Sequence, residues 1–323
     1  MQAIVYRTYG SADVLAVENI DKPTPKDDEV LIRVRAASVN PLDWRVMRAS
    51  PHFIRLMTGL GKPKDPRLGV DAAGTIDAVG RNVTGLKPGD DVVGVCRGAF
   101  AEFARAAASA VVAKPANVTF EQAAALPIAA CTALQGLRDK GRIQPGQKVL
   151  INGAAGGVGT FAVQIAKSLG ADVTGVCSSR NVEMVRTLGA HRVIDYLRED
   201  FTQSGQHYDA MLDCVANHPL SACRRILNPK GAYLLVGGHG GPWLGPLARS
   251  LQALVWSPFV SQNLRTVMAK SNATDLLRLL EMVETGKITP VIDRRYRLSE
   301  VPQAIRYLEE GHARGKVIIT VTP

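Results

Sequence analysis

Lys148-Val149-Leu150-Ile151-Asn152 runs directly into Gly153-Ala154-Ala155-Gly156-Gly157-Val158-Gly159. A continuous apolar run thus ends in a glycine-rich turn. Val158, Ala162, Ile165, Ala166 and Leu169 then recur at helical spacing, which predicts an amphipathic helix. A second strand-like run, Ala171 to Cys177, follows and ends about 20 residues beyond the turn, the spacing of a dinucleotide-binding βαβ unit. In such a unit Gly156 lets the backbone approach a pyrophosphate, whose charge meets the N–H groups and dipole of the helix N-terminus. Ala155, Gly156, Gly157 and Val158 are the candidate phosphate-binding positions, and Gly159 permits close packing of the helix on the strand. Ala154 stands where the strict pattern has its first glycine.

Outward from this stretch the alternation continues. Asn181 to Leu188 and Pro219 to Leu227 read as helices. His191 to Ile194, Tyr208 to Cys214 and Ala232 to Val236 read as strands. Alternating strands and helices predict a parallel sheet covered on both faces, a doubly wound α/β domain. Upstream, Ala3 to Tyr6, Val30 to Arg35, Gly74 to Val79 and Asp91 to Val95 alternate with period two between Pro and Gly turns, predicting a β-rich domain. Glu121 to Leu126 and Ala130 to Lys140 read as helices between the two. After Trp243 to Met268, an apolar segment with Leu247, Leu251, Leu254, Val255 and Phe259 at helical spacing, comes a helix from Ala273 to Glu284. Strand-like runs return at Val291 to Leu298 and Lys316 to Val321, around a helix from Ser299 to Glu310. The simplest organisation is a split domain, residues 1–124 and 286–323, into which a dinucleotide-binding domain, residues 125–285, is inserted.

The second strand of the βαβ unit addresses which dinucleotide. An NAD site places a carboxylate there for the adenosine ribose, whereas an NADP site meets a 2′-phosphate with arginine and hydroxyls. This strand ends Cys177-Ser178-Ser179-Arg180-Asn181 without a carboxylate, so Ser178 and Arg180 point to NADPH.

Composition narrows the classes. With 323 residues, 46% of them hydrophobic and 21% charged, the chain has the make-up of a packed globular protein rather than a disordered or fibrous one. Aromatic residues make up only 5%, which argues against a stacking platform for single-stranded nucleic acid. The net charge of +10 favours anionic ligands in general and keeps an RNA-binding or regulatory protein as the alternative of another class. No apolar run reaches the roughly 18–20 residues that span a bilayer. Met1-Gln2-Ala3-Ile4-Val5 enters strand-like alternation without a signal-peptide pattern. Five cysteines form no CxxC pair, which suits a reducing compartment, so the expectation is a cytoplasmic protein. The six histidines show no HExxH or HxxxH spacing and no GxSxG is present, so metalloprotease and serine-hydrolase chemistry lack their residues.

Together with the Asn152 to Gly159 loop, Leu188-Gly189-Ala190 with Val193-Ile194-Asp195-Tyr196 and the terminal Gly315-Lys316-Val317-Ile318 resemble the medium-chain dehydrogenase/reductase superfamily over essentially the whole chain. Ser38-Val39-Asn40-Pro41-Leu42-Asp43, Gly69-Val70-Asp71-Ala72-Ala73-Gly74, Ala99-Phe100-Ala101-Glu102-Phe103 and Leu126-Pro127 resemble its zinc-free branch of quinone oxidoreductases and alkenal/enone reductases. The resemblance implies a GroES-like β-rich catalytic domain, a Rossmann domain and a homodimer. It also implies hydride transfer from NADPH to a small enone, alkenal or quinone. In zinc-dependent relatives a cysteine would stand near Asn40 and a histidine at Val70, so no metal ligands are expected. By the same resemblance Asn40 lies beside the nicotinamide, Asp43 beside the reacting end, and Arg45 serves as oxyanion donor, with water left as the proton source. Thr132, Tyr196, Val236, Gly237 and Lys316 complete the expected cofactor set, Tyr196 near the 2′-phosphate and Lys316 from the final loop.

Overall fold

The computed structural model describes residues 1–237 and 246–321, without the side chains of residues 246 and 247. Among these residues the chain divides into two compact units, Met1–Cys131 with Ser271–Pro323, and Thr132–Lys270. The first segment forms β1 (Gln2–Tyr6), β2 (Leu15–Asn19), β3 (Glu29–Val39), α1 (Pro41–Arg48), α2 (Ile54–Thr58), β4 (Asp71–Val79), β5 (Asp91–Val95), β6 (Phe103–Ala107), β7 (Val111–Ala113), α3 (Phe120–Ala124) and α4 (Ala129–Gln135). The middle segment forms β8 (Lys148–Asn152), α5 (Gly157–Ser168), β9 (Asp172–Cys177), α6 (Val182–Thr187), β10 (Arg192–Asp195), β11 (Tyr208–Asp213), α7 (Leu220–Arg225), β12 (Leu227–Leu235), α8 (Pro246–Trp256) and β13 (Asn263–Thr266). The last forms α9 (Ala273–Glu284), β14 (Ile292–Arg297), α10 (Val301–Glu309) and β15 (Lys316–Thr320).

In the first unit a sheet of order β14-β15-β3-β4-β5-β7 carries β6 against β3, beside a two-stranded β1-β2 ribbon. Strand β3 is the organiser: it is long, apolar at most positions, and paired antiparallel with β15, β4 and β6. Its inward residues Val30, Ile32 and Val34 pack with Ile4, Tyr6, Phe100, Val317 and Ile319 in one core. Chain segments far apart in sequence therefore close a single sheet. The unit also takes in residues 125–131 and 271–285, which the sequence reading places in the other domain. Helix α9 is the reason for the latter, since it packs against β7.

The second unit holds a parallel sheet of order β10-β9-β8-β11-β12-β13. Sequential β8, β9 and β10 run outward in one direction and β11, β12 and β13 in the other, so the order reverses between β8 and β11. The carboxyl ends of those two strands are the ligand-binding crevice of open α/β sheets. Helix α5 is buried from Gly159 to Ala166, consistent with its apolar spacing. Two differences from the sequence reading stand out. The stretch Ala130 to Lys140 is α4 followed by a wider π-turn over Gly136–Gly141, and the apolar segment yields α8 and then the edge strand β13. The expected start of that segment at Trp243 lies outside the described residues.

Gly159 carries the junction of strand, turn and helix. A Cβ there would fall 2.1 Å from the Gly153 carbonyl oxygen and 2.8 Å from Ala154 Cα, backbone atoms that cannot swing aside. Gly159→Ala is therefore expected to lower stability by roughly 1–3 kcal/mol, as overpacking does. A fall in the urea midpoint at unchanged m-value would show this; an unchanged midpoint would contradict it.

Candidate functional site

In the second unit β8 ends at Asn152, and the turn that follows hangs from the neighbouring strand: Gly153 and Ala154 N–H groups both donate to the Val176 carbonyl, at 3.2 and 3.0 Å. Gly153 takes φ +82°, the left-handed region that favours glycine. Gly156 is the N-cap of the 12-residue α5 and supplies no side-chain cap, so the first-turn N–H groups face outward with the positive end of the helix dipole. Gly156 differs from Gly153 and Gly159 in that neither its backbone angles nor a close contact requires glycine. Its backbone is ordinary extended chain, φ −82° and ψ 178°, and an added Cβ would meet only the Gly153 carbonyl at an ordinary 3.5 Å. The space beside Gly156 Cα is thus open, as the approach of a pyrophosphate to such a turn would require. Ala155, Gly157 and Val158 lie in the same turn.

Behind the turn, Asn152 Nδ2 donates to Asp213 Oδ1 and to Asn217 Oδ1, each at 2.9 Å. Asp213 Oδ1 also accepts the Val215 and Ala216 N–H groups, and its Oδ2 accepts the Tyr233 hydroxyl at 2.7 Å. This fully buried carboxylate ties the ends of β8, β11 and β12 together; sequence reasoning did not single it out. Val236 and Gly237, half-buried, follow β12 directly, and Val236 N–H donates to the Asp213 carbonyl. Thr132 is buried in α4.

At the end of β9, Ser178 is half-buried and Arg180 exposed. Tyr196 is exposed just beyond β10. Ser179 donates to Asp195 Oδ2 at 2.5 Å, and Arg198 lies 3.5 Å from the same oxygen. A carboxylate therefore does stand at this edge, from the next strand rather than from β9. Asp195 pairs in register with Cys177, a relation invisible in the local sequence. Its carboxyl is held below the usual range, chiefly by the Ser179 hydroxyl. Asn181 is buried, donates to Ser178 Oγ at 3.1 Å, and leaves Oδ1 without a hydrogen-bond donor.

The first unit gathers a second cluster where β15, β3 and β4 end. Ser38 lies opposite Asp71, Asn40 is two residues past Ser38 and so on the same face, and Lys316 adjoins Val317, which lies opposite Val39. Asn40 Nδ2 donates to Asp71 Oδ2 at 2.9 Å and to the Ser38 carbonyl at 3.3 Å, while Lys316 Nζ donates to Asn40 Oδ1 at 2.7 Å. Asp71 Oδ2 further accepts Ser38 Oγ and Ile128 N–H. Asp43 Oδ2 accepts the Asn40 N–H at 2.7 Å across the first turn of α1. Asn40, Asp43, Asp71 and Lys316 are 2%, 1%, 0% and 3% exposed. Lys316 opens a strand rather than sitting on a loop, and Asn40 and Asp43 spend their polar atoms inside the unit. Asn40 can thus offer a neighbour its shape and dipole more readily than a free hydrogen bond. Arg45 is half-buried, its guanidinium 5.3 Å from the Trp44 ring centroid. Asp71 escaped the sequence reading as a site residue, although a carboxylate directly before the small, buried run Ala72 to Gly74 was the available signal.

Among the described residues no group of three or more His, Cys, Asp or Glu side chains is placed to hold a metal ion, and no helix is long and apolar enough to cross a membrane.

Residues 26–116 match the family described as alcohol dehydrogenase GroES-like domain, and residues 188–319 that described as zinc-binding dehydrogenase. The chloroplast envelope quinone oxidoreductase homolog of Arabidopsis thaliana is 34% identical over 99% of this chain and 98% of its own length. The chain belongs to the medium-chain dehydrogenase/reductase superfamily. Within the superfamily it falls in the quinone oxidoreductase and alkenal/enone reductase branch. The 2-methylene-furan-3-one reductase of Solanum lycopersicum is 32% identical over the whole chain and 80% of its own length. Among solved structures, the quinone oxidoreductase from Coxiella burnetii superposes with a TM-score of 0.89 at 28% identity, covering 100% of this chain and 99% of that one. The superfamily's two-domain plan, GroES-like and Rossmann, is the fold observed.

Burial pushes the Asp43 carboxyl from 3.8 up to about 7, against the Asn40 N–H bond. A raised carboxyl stabilises the fold in its protonated form, so that contribution is complete below 3.8 and is lost as pH rises through about 7. Burial also raises Asp71, opposed by Lys316 and the donors from Asn40 and Ser38. Asp43→Asn keeps the acceptor for Asn40 N–H but removes this titration. The decline of urea-measured stability between pH 3.8 and about 7 is therefore expected to be shallower in the variant than in the parent, and equal slopes would contradict the assignment.

Proposed function

We propose that the chain is an NADPH-dependent reductase that adds hydride to an activated acceptor, the C=C bond of a small α,β-unsaturated ketone or aldehyde. The observation that carries this reading is Gly156, a glycine that neither its backbone angles nor its packing requires, at the uncapped start of α5. The residues fit a dinucleotide. The turn from Ala155 to Val158 receives the pyrophosphate, Ser178, Arg180 and Tyr196 receive the 2′-phosphate, and Thr132, Val236 and Gly237 border the nicotinamide half. Asp195 does not oppose the 2′-phosphate strongly, because Ser179, Leu197 N–H and Arg198 already compensate it. When bound, NADPH supplies the hydride and the two electrons. Asn40 shapes the nicotinamide-facing wall, and Arg45 stabilises the oxygen on which negative charge develops. Asp43, mostly neutral below about 7, holds the backbone of Asn40 without adding a competing negative charge.

A quinone acceptor is the second reading, favoured by the names of the Arabidopsis relative and the Coxiella structure. We infer a zinc-independent reaction, because hydride addition to a conjugated acceptor needs no metal to polarise an alcohol. We also infer a homodimer. Strand β13 ends its sheet with one open edge, and Leu251, Leu254 and Val255 of α8 are exposed beside it in sequence. All five cysteines are free, which supports a reducing, cytoplasmic setting. The RNA-binding alternative is weakened by how the basic residues are used: Arg33 pairs with Asp77, Arg295 with Glu121 and Arg306 with Asp13.

With NADPH deuterated at the transferable C4 position and a small enone, NMR of the product is expected to place deuterium on the β-carbon. Deuterium on the carbonyl carbon, or no turnover of either enones or quinones, would refute the reading. Two variants separate the parts of the dinucleotide. Gly156→Ala should keep its melting temperature and weaken NADPH and NADH alike. Arg180→Ala should weaken NADPH at least about tenfold more than NADH, the loss of one charge-assisted contact; equal losses would remove Arg180 from the 2′-phosphate site.

A further inference from the structure

Lys316 is a lysine where the fold would be expected to place an apolar residue. It begins β15, whose next three residues, Val317, Ile318 and Ile319, are fully buried. Its ammonium is buried with them, 2.7 Å from Asn40 Oδ1, 3.5 Å from the Val39 carbonyl and 4.0 Å from Asp71 Oδ2. We propose that Lys316 is a positioning residue for hydride transfer, fixing which end of the Asn40 amide points which way. This role rests on the proposed function above, in which Asn40 borders the nicotinamide.

The two ends of an asparagine amide have nearly the same shape, so packing alone hardly distinguishes them. Charge does. An ammonium only donates and a carboxylate only accepts. With Lys316 on one side and Asp71 on the other, the amide oxygen must face the lysine and the nitrogen the aspartate. A flipped amide would set NH₂ against NH₃⁺ and C=O against carboxylate, unfavourable at both ends. Ser38, donating to the same Asp71 oxygen at 3.0 Å, keeps that carboxylate as the acceptor side. Lys316 and Asp71 thereby convert a rotatable side chain into a dipole of fixed direction, and Asp43 holds the backbone beneath it.

Lys316→Met is expected to lower kcat about tenfold to a hundredfold, the scale of a small misplacement at a reacting centre, while leaving NADPH binding within about twofold. Because that variant also strands the Asp71 charge, the double variant Lys316→Met with Asp71→Asn is the decisive comparison. It removes both charges, so it should regain the parent melting temperature, yet kcat should stay low because the amide that replaces the Asp71 carboxylate offers a donor and an acceptor alike. Lys316→Arg, which restores a cationic donor, should recover part of the rate. A readout free of turnover is the Asn40 side-chain NH₂ resonance of the ¹⁵N-labelled protein without cofactor, assigned by its loss in Asn40→Ala. Its proton exchange should be slow in the parent and at least about tenfold faster in both variants that carry Lys316→Met, as expected when a buried hydrogen bond opens.

Parent kcat in the double variant, or unchanged amide exchange in it, would overturn the proposal and leave Lys316 as mere charge compensation. NADPH affinity falling in step with kcat would overturn it in favour of direct cofactor contact. If the parent protein reduces neither enones nor quinones, the functional reading fails, while the amide exchange still decides whether Lys316 orients Asn40.

Discussion

A lysine ammonium taken out of water must be answered by charge and by hydrogen-bond acceptors, and the end of the β15-β3-β4 sheet is built around that requirement. Lys316 is buried, and desolvation lowers its pKa while Asp71 pulls it back up; the Asp71 carboxyl, itself raised by burial, is opposed by Lys316 and by the donors that Ser38, Asn40 and Ile128 supply. One cation facing two buried carboxylates balances only if one of the two keeps its proton. Asp43, its carboxyl raised by burial to about 7, holds a proton below that pH. With that proton held, the opposed charges of Lys316 and Asp71 lie close together, the condition under which a buried ionic group is tolerated.

The second unit solves a similar problem with no buried lysine. Asp213 sits at the carboxyl end of β11 and is saturated by Asn152, Tyr233 and two backbone N–H groups. Those bonds span the point where the sheet order reverses, so they set the height at which the glycine turn leaves β8. Besides Gly153 with its left-handed backbone, Gly156 and Gly159 of the turn differ in what the fold asks of them. Gly159 is demanded by the backbone of Gly153 and Ala154, whereas Gly156 is demanded by nothing within the fold. That contrast separates a glycine that packing requires from one that it does not.

How much of this could be read from the sequence follows the range of the interactions. The β8-turn-α5 stretch was legible because strand, glycines and helical periodicity are all local, and the doubly wound pattern follows from repeating it. Strand β13 was not: Asn263-Leu264-Arg265-Thr266 is short, and the helically spaced leucines before it dominate the pattern. Lys316 was placed near the cofactor on resemblance, but its hydrogen bond joins residues 276 apart and exists only once β15 lies antiparallel to β3. Asp195 reaches Ser179 by the same logic, through the register of β10 on β9. Side chains that meet by strand register carry no signature in their own neighbourhood.

Each unit thus holds an amide against a buried carboxylate: Asp71 holds Asn40 through Oδ2 alone, its Oδ1 accepting no hydrogen bond, and Asp213 holds Asn152 with both oxygens satisfied. The choice suits hydride chemistry. Adding hydride to a conjugated acceptor drives negative charge onto an oxygen, and an unpaired carboxylate nearby would oppose that charge in a low-dielectric site. Saturating a carboxylate with donors, as at Asp213, or favouring its protonated form, as burial does at Asp43, retains its orienting role while reducing its outward field. Such an arrangement fixes the direction of the Asn40 and Asn152 dipoles, the kind of preorganisation that favours a charge a reaction creates over the charge it starts from.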